Sequence, residues 1–362
     1  MATVTTNQYA PDYAVHPGEI LEETLEARGI KKTEFAERTG LSLKTVSQII
    51  HGNAPVTPET AIQFERVLGV SASIWNNLDA HYRLYTAKMA DLRRLEGKKE
   101  WAKKFPVAAL VKQGLITKRR NRTEAVEELL DFFGVASVEA WKAQFERIAV
   151  SYRKSPAFKS SNESVAAWLR IGEIMAEEIT TEPFDKRTFK NALKEIRSLT
   201  CEDPSIFEPR MRELCRKAGV ALVFIAELPK TRLSGATRWL RSDKALIMLS
   251  LRHKRDDHFW FTFFHEAGHI WLHGKTSVFI DEEEMGTNNE EDEANRFAAN
   301  ILIPEHKYRA FVQRGRYSEK DILEFALAIG ICPGIVVGRL QHDGEIPHNW
   351  HIRLTRTFRI KE

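Results

Sequence analysis

Cysteine is scarce in this chain. Cys201, Cys215 and Cys332 are odd in number and widely spaced, with no Cys-x-x-Cys pair. That excludes a disulfide framework and a zinc knuckle, and the three read as reduced core thiols of a cytosolic protein. Long apolar runs are also missing. The longest, Phe259 to Phe264, is far too short to span a bilayer. The first residues, Met1 to Gln8, lack the charged and apolar blocks of a signal peptide, so a cytoplasmic location with no membrane partner is expected. No internal repeat or low-complexity tract occurs. What remains is 362 residues of ordinary globular composition, 43% hydrophobic and 29% charged, enough for two or three domains.

The net charge of +4 says little, but its distribution says more. Between Asp91 and Arg122 eleven bases face three acids, whereas Asp281 to Glu293 carries acids and no base. The basic stretch reads either as a solvated helical face or as added grip on a phosphate backbone.

From Pro17 to Arg83 the punctuation marks five short helices. Pro17 and Thr57-Pro58 are starts, Gly29, Gly40, Gly52 and Gly69 are stops, and Ser42 is an N-cap. Ala36, Gly40 and Val46 form Ala-x3-Gly-x5-Val, surrounded by Phe35, Leu41 and Ile49. A helix-turn-helix requires that set: a small residue where the helices cross, a glycine in the turn and an aliphatic anchor on the inner face. Ser42, Lys44, Thr45, Ser47 and Gln48 are then directed outward, with side chains suited to base edges and phosphates of double-stranded DNA. A protein-binding five-helix bundle would share the same packing. With ten acids and eight bases up to residue 90, the module is not basic, so DNA affinity would need a dimer, the downstream basic stretch, or both.

His16-Pro17-Gly18-Glu19-Ile20-Leu21, the turn motif, His51-Gly52-Asn53, Leu68-Gly69-Val70-Ser71 and Trp75-Asn76-Asn77-Leu78 together resemble XRE-type repressors of the HigA antitoxin kind, over most of Ala14 to Leu84. The resemblance implies a homodimer on a palindromic operator and a toxin–antitoxin context.

From Asp91 to Cys215 the apolar spacing is helical, as in Val126-Leu129-Leu130-Phe133, with breaks at Lys154-Ser155-Pro156 and Thr181-Glu182-Pro183. This reads as scaffold. After Gly219 the character changes: Val220–Ile225 and Ala245–Leu251 are strands, and Ser234–Leu240 is a turn with a short third strand.

A helix from about His258 to His273 follows, carrying His265-Glu266-Ala267-Gly268-His269. Residues four apart share a helix face, so both imidazoles can grip one zinc ion while Glu266 serves as the base toward its water. Gly268 is costly in a helix and marks a close backbone approach, to sheet or substrate. A third ligand is required. His273 lies a further turn along and too far for the same ion, and Trp271 replaces the glycine of the metzincin elbow. His258 and His273 therefore read as outer or packing residues, and His253 and Arg255 as solvated. A carboxylate on the helix Glu290–Asn300 is the better choice, and spacing leaves Glu290 and Glu293 both open. Arg238, His306, Tyr308 and His342 are candidate oxyanion donors.

His-Glu-x-x-His, then Glu293-Ala294-Asn295-Arg296-Phe297-Ala298-Ala299 and Ile303-Pro304, resembles the ImmA/IrrE zinc metallopeptidases, as does Ile329–Gln341; the likeness spans about Gly219 to Gln341. It implies His265, His269 and Glu293 as zinc ligands and Glu266 as catalytic base. The expected architecture is mainly α with a small α+β domain: a disordered stretch at 1–13, a helix-turn-helix domain at 14–88, a helical scaffold at 89–215 and a zincin-like peptidase domain at 216–362. The expected function is a DNA-binding transcriptional regulator whose zinc endopeptidase domain cleaves or senses a protein substrate, toxin or repressor. The alternative is a non-catalytic HigA-like antitoxin whose C-terminal domain only binds a toxin or effector.

Overall fold

The computed structural model describes residues 13–119, 121–152, 161–250, 255–273, 278–282 and 289–358; at 146–152 and 278–282 it describes the backbone. The stretch expected to be disordered lies outside these residues except for Tyr13, as do Lys154-Ser155-Pro156, His253 and the middle of the acidic run. Two compact units are present, Met1–Lys99 and Glu100–Glu362.

The first unit holds five helices: α1 (Pro17–Ala27), α2 (Lys32–Thr39), α3 (Leu43–Ile50), α4 (Pro58–Leu68) and α5 (Ala72–Glu96). Gly40 ends α2 at φ 74°, where a side chain would be strained, and the chain turns directly into α3. Ser42 caps α3 by accepting the Thr45 amide at 3.0 Å. Leu21, Phe35, Val46, Ile49, Phe64 and Trp75 fill the core, with the Phe64 and Trp75 rings edge-to-face at 5.4 Å. Gly18 lies against the carbonyl oxygens of Ile49 and Ile50, each 2.4 Å from where a Cβ would sit, so α1 crosses α3 at contact distance. The fifth helix is not short. Nothing breaks it between its Ser71 cap and Gly97, and it runs 25 residues, through the boundary expected at 88.

The second unit contains α6 (Lys99–Ala102), which straddles the division, α7 (Val107–Lys112), α8 (Arg122–Phe133), α9 (Val138–Tyr152), α10 (Asn162–Glu177), α11 (Lys186–Ser198) and α12 (Pro204–Lys217). Strands β1 (Val220–Ile225), β2 (Leu233–Arg241) and β3 (Lys244–Ser250) precede α13 (Asp256–Leu272); β4 (Val278–Glu282), α14 (Asn289–Leu302), α15 (Glu305–Val312), α16 (Glu319–Ile329) and α17 (Pro333–His342) follow. The sheet order is β1-β3-β2-β4, parallel between β1 and β3 and antiparallel elsewhere, with Thr237 opposite Ile247 on one side and Phe279 on the other. β1 and β3 are buried throughout, as their unbroken apolar runs require. Helices α10 and α12 pack on β1, so the segment expected to be scaffold is part of this body. α13 lies against β2 and β3 and packs most extensively on α14 and α17. Phe207, Ile247, Trp260, Phe263, Phe264 and Val336 are the centre of this core. The Arg197 guanidinium donates to the carbonyls of Ile301, Leu302 and Ile329, satisfying the ends of α14 and α16 together. Cys215 and Cys332 are buried free thiols, but Cys201 is exposed rather than a core residue. No single helix among the described residues is long and apolar enough to cross a membrane.

Candidate metal centre

The two imidazoles of α13 are almost wholly buried, with Nε2 of His265 and Nε2 of His269 3.0 Å apart. Glu291 on α14 completes the group. Its Oε2 lies 3.1 Å from His265 Nε2 and 3.5 Å from His269 Nε2. Among the described residues these three form the group whose ligand atoms lie close enough together to hold a metal ion. Tetrahedral zinc with bonds of about 2.0–2.2 Å separates its ligand atoms by about 3.3–3.5 Å. One separation matches that dimension and the other two, at 3.0 and 3.1 Å, are a few tenths of an ångström shorter, so a small outward shift of the rings would admit the ion.

Glu293 is not in this triangle, which corrects the expectation from sequence. It sits two residues, or about 200°, further around α14, and its Oε2 lies 3.4 Å from Nε2 of His273. The face of α14 that meets α13 carries Glu291, Ala294, Asn295 and Ala298, spaced i, i+3, i+4, i+7. Ala294 and Ala298 are fully buried. That stripe of small residues is the sequence signal for which carboxylate faces the histidines. Gly268 explains the close packing. A Cβ there would stand 3.2 Å from Ala294 Cα and 3.1 Å from Phe297 Cδ1, so the close approach is to α14, not to sheet or substrate.

Each imidazole is held from behind. His265 Nδ1 is 2.9 Å from Asn295 Oδ1, which requires a proton on Nδ1 and leaves Nε2 bare. His269 Nδ1 is 3.0 Å from His273 Nδ1, so His273 belongs to the surrounding shell, as spacing indicated. Burial holds His269 down to about 4, with the Glu291 carboxylate opposing and His265 assisting. Burial would raise Glu291, but its contacts with the His265 and His269 rings outweigh that and bring it to about 2. Near neutral pH His269 is therefore a neutral imidazole and Glu291 a carboxylate, the protonation states a metal takes.

Glu266 is completely buried under β2. A Cβ on Gly235 would fall 2.6 Å from its Oε1, and Thr237 Oγ1 donates to its backbone carbonyl at 3.2 Å. No local sequence pattern marks Gly235 for this roofing role. The expected oxyanion donors are placed elsewhere: Arg238 pairs with Glu173, Tyr308 lies under the Arg339 guanidinium at 5.0 Å, His306 is exposed on α15, and His342 lines a separate recess. Arg255 is ion-paired to Asp257 at 2.8 Å rather than solvated.

In the first unit, Lys44 and Gln48 are exposed one turn apart on α3, while Thr45 and Ser47 are half-buried. Ser42 and Thr45 are joined, Oγ to Oγ1, at 2.8 Å, so the cap already engages two of the five expected DNA contacts. Part of the basic stretch is neutralised locally, through Arg94–Asp91 and Arg119–Glu128 among others.

Residues 215–340 match the family model of the IrrE N-terminal-like domain, peptidase family M78, and residues 21–75 match a helix-turn-helix family. The chain is 36% identical over 80 residues to the uncharacterized HTH-type transcriptional regulator YddM of Escherichia coli (strain K12), covering 22% of this chain and 85% of that one. It is 34% identical over 79 residues to virulence-associated protein I of Dichelobacter nodosus, covering 22% and 70%. Among solved structures, Pseudomonas aeruginosa antitoxin HigA with the higBA promoter is 32% identical, covering 24% of this chain and 94% of that chain with a TM-score of 0.22.

Proposed function

We propose that this chain, which belongs to the HTH-type transcriptional regulators and carries an IrrE N-terminal-like domain, is a DNA-binding regulator with a zinc-dependent endopeptidase centre that cleaves or senses a regulatory protein partner. The observation that carries the enzymatic half is the buried triangle of His265, His269 and Glu291, a set of two imidazoles and one carboxylate of the kind that holds a hydrolytic zinc.

These three residues would hold the zinc. The ion supplies a Lewis acid and an acidified water. His265 and His269 come from one rigid helix, and Asn295 and His273 fix their ring orientations. Glu266 is kept from bulk solvent by the Gly235 backbone, where it takes a proton from water and returns it to the departing amine. In the first unit, Lys44 and Gln48 would carry the contacts to phosphate and base edge, with Ser42 and Thr45 holding the start of α3 in place. The sequence likeness of Ala14 to Leu84 to HigA-type repressors supports a homodimer on a palindromic operator.

The decisive experiment compares cells carrying wild type with cells carrying Glu266→Gln. Proteins that persist only in the variant are the substrates. If the two proteomes agree while zinc is bound at one per chain, the centre binds a partner without cleaving it. Operator binding is tested separately. Lys44→Ala with Gln48→Ala should abolish a shift that also falls steeply with salt, and a salt-insensitive, unchanged shift would refute it.

A further inference from the structure

A recess of about 690 Å³ opens between α13, α14 and α17, beside the metal triangle but not including it. Its size is that of pockets that enclose a small ligand or a few residues of peptide. Phe261 and Asn295 form the wall nearest the triangle. The Phe261 ring is 6.3 Å from that of His265, and Asn295 Oδ1 holds the same histidine. Whatever fills the recess therefore adjoins the position of the reacting bond.

The charges of the lining define the occupant. Asp257 is taken by Arg255, Asp343 by Arg339 and Glu305 by Arg309. Gln341 is committed at both ends, accepting from Arg255 and donating to the His348 and Trp350 carbonyls. Left over are Arg296 and Asp292 on α14, which form no ion pair among the described residues, together with the Asn300 amide and the rings of His342 and His348. With Asp292 set against Arg296, the recess has no surplus of permanent positive charge of the kind a phosphate or a polyanion needs. An apolar ligand would strand the same groups without partners. A polypeptide segment, with alternating N–H and C=O groups and side chains of either charge, satisfies them.

We infer that this recess is an extended substrate site, holding the polypeptide to one side of the scissile bond, and that Arg296 selects an acidic residue there. The inference rests on the peptidase reading for the position of the scissile bond. Arg296 is exposed, so substituting it leaves the core intact.

The test uses the zinc-loaded full-length Glu266→Gln protein and a displayed library of random peptides. Selected peptides should share an acidic residue at one fixed position. Arg296→Glu should replace it with a basic residue and weaken binding of the original peptides on the order of fivefold, as for a partly exposed ion pair. Arg296→Gln should remove the preference without reversing it. No enrichment, or the same motif from all three proteins, overturns the inference. So does thermal stabilisation by phosphate or citrate that is lost with Arg296→Glu, which assigns the recess to a small anion. Exposing selected peptides to the wild-type protein decides the other question: peptides bound at the recess but left uncut would refute the peptidase and not the recess.

Discussion

Nδ1 of His269 lies 3.0 Å from Nδ1 of His273, and Nε2 of His273 lies 3.4 Å from Glu293 Oε2. Two nitrogens that close share one proton. With Glu293 accepting at the far end, the proton between the rings belongs to His269, which leaves its Nε2 bare toward the triangle. His273→Ala should lower zinc affinity about 10–100-fold, as for other groups that orient a ligand. Competition with a chromophoric chelator measures this, and an unchanged affinity would remove His273 from the site.

Glu291 and Glu293 should separate cleanly. Glu291→Ala takes away a ligand and should leave little bound zinc after gel filtration, whereas Glu293→Ala should remain near one zinc per chain. Elemental analysis of both proteins distinguishes the two, and the reverse result would restore Glu293 to the ligand set.

Gly235→Ala should be costly without touching a ligand. The added methyl would overlap the Glu266 carboxylate and Thr262 Cγ2, 2.6 and 2.9 Å from the new carbon. Overpacking of this kind costs about 1–3 kcal/mol. The thermal midpoint should fall, and Glu266→Ala in the same chain should recover part of the loss. Purely additive losses would show that the two residues do not meet.

Asp256 gives the second unit a pH dependence. It is fully buried at the start of α13, where burial pushes its carboxyl up to about 6 against hydrogen bonds from the amides of Arg356 and Asp257. Its ordinary value is 3.8. Because the folded value is the higher one, its contribution is complete below pH 3.8 and is lost as pH rises through about 6, at a cost of about 3 kcal/mol. Urea unfolding of Asp256→Asn should lack this decline. Parallel curves for the two proteins between those pH values would contradict it.

Ser42→Ala should act on stability rather than on recognition alone. Loss of its bond to the Thr45 amide should cost about 1 kcal/mol. Lys44→Ala and Gln48→Ala should leave the melting temperature unchanged and weaken DNA binding. If Ser42→Ala melts like wild type, the cap carries no weight.

The features readable in the sequence were those fixed by local chemistry. Gly40, Ser42 and Val46 prescribe a turn, a cap and an anchor within a dozen residues, and the structure places them so. The buried runs at Val220 and Ala245 likewise declare strands. The carboxylate that completes the triangle was not readable in that way. Glu290, Glu291, Asp292 and Glu293 are four consecutive helical acids, and which one faces the histidines depends on how α14 is rotated against α13. That rotation is a property of the contact between Gly268, Ala294 and Phe297, twenty-odd residues apart in sequence. β4 escaped notice for a related reason: it takes its place from pairing with β2, and its acidic end carries no apolar alternation.

The contact at Gly268 makes the candidate metal centre vulnerable at a position that performs no chemistry. Two of its candidate ligands ride on one helix and the third on another, and those helices approach where Gly268, lacking a side chain, meets the Ala294 backbone and the Phe297 ring. A substitution as mild as Gly268→Ala would wedge the helices apart by tenths of an ångström while every ligand stayed in the sequence. A relative could thus keep His-Glu-x-x-His and the downstream glutamate and still lack a working centre, and the residues opposite Gly268 would identify it.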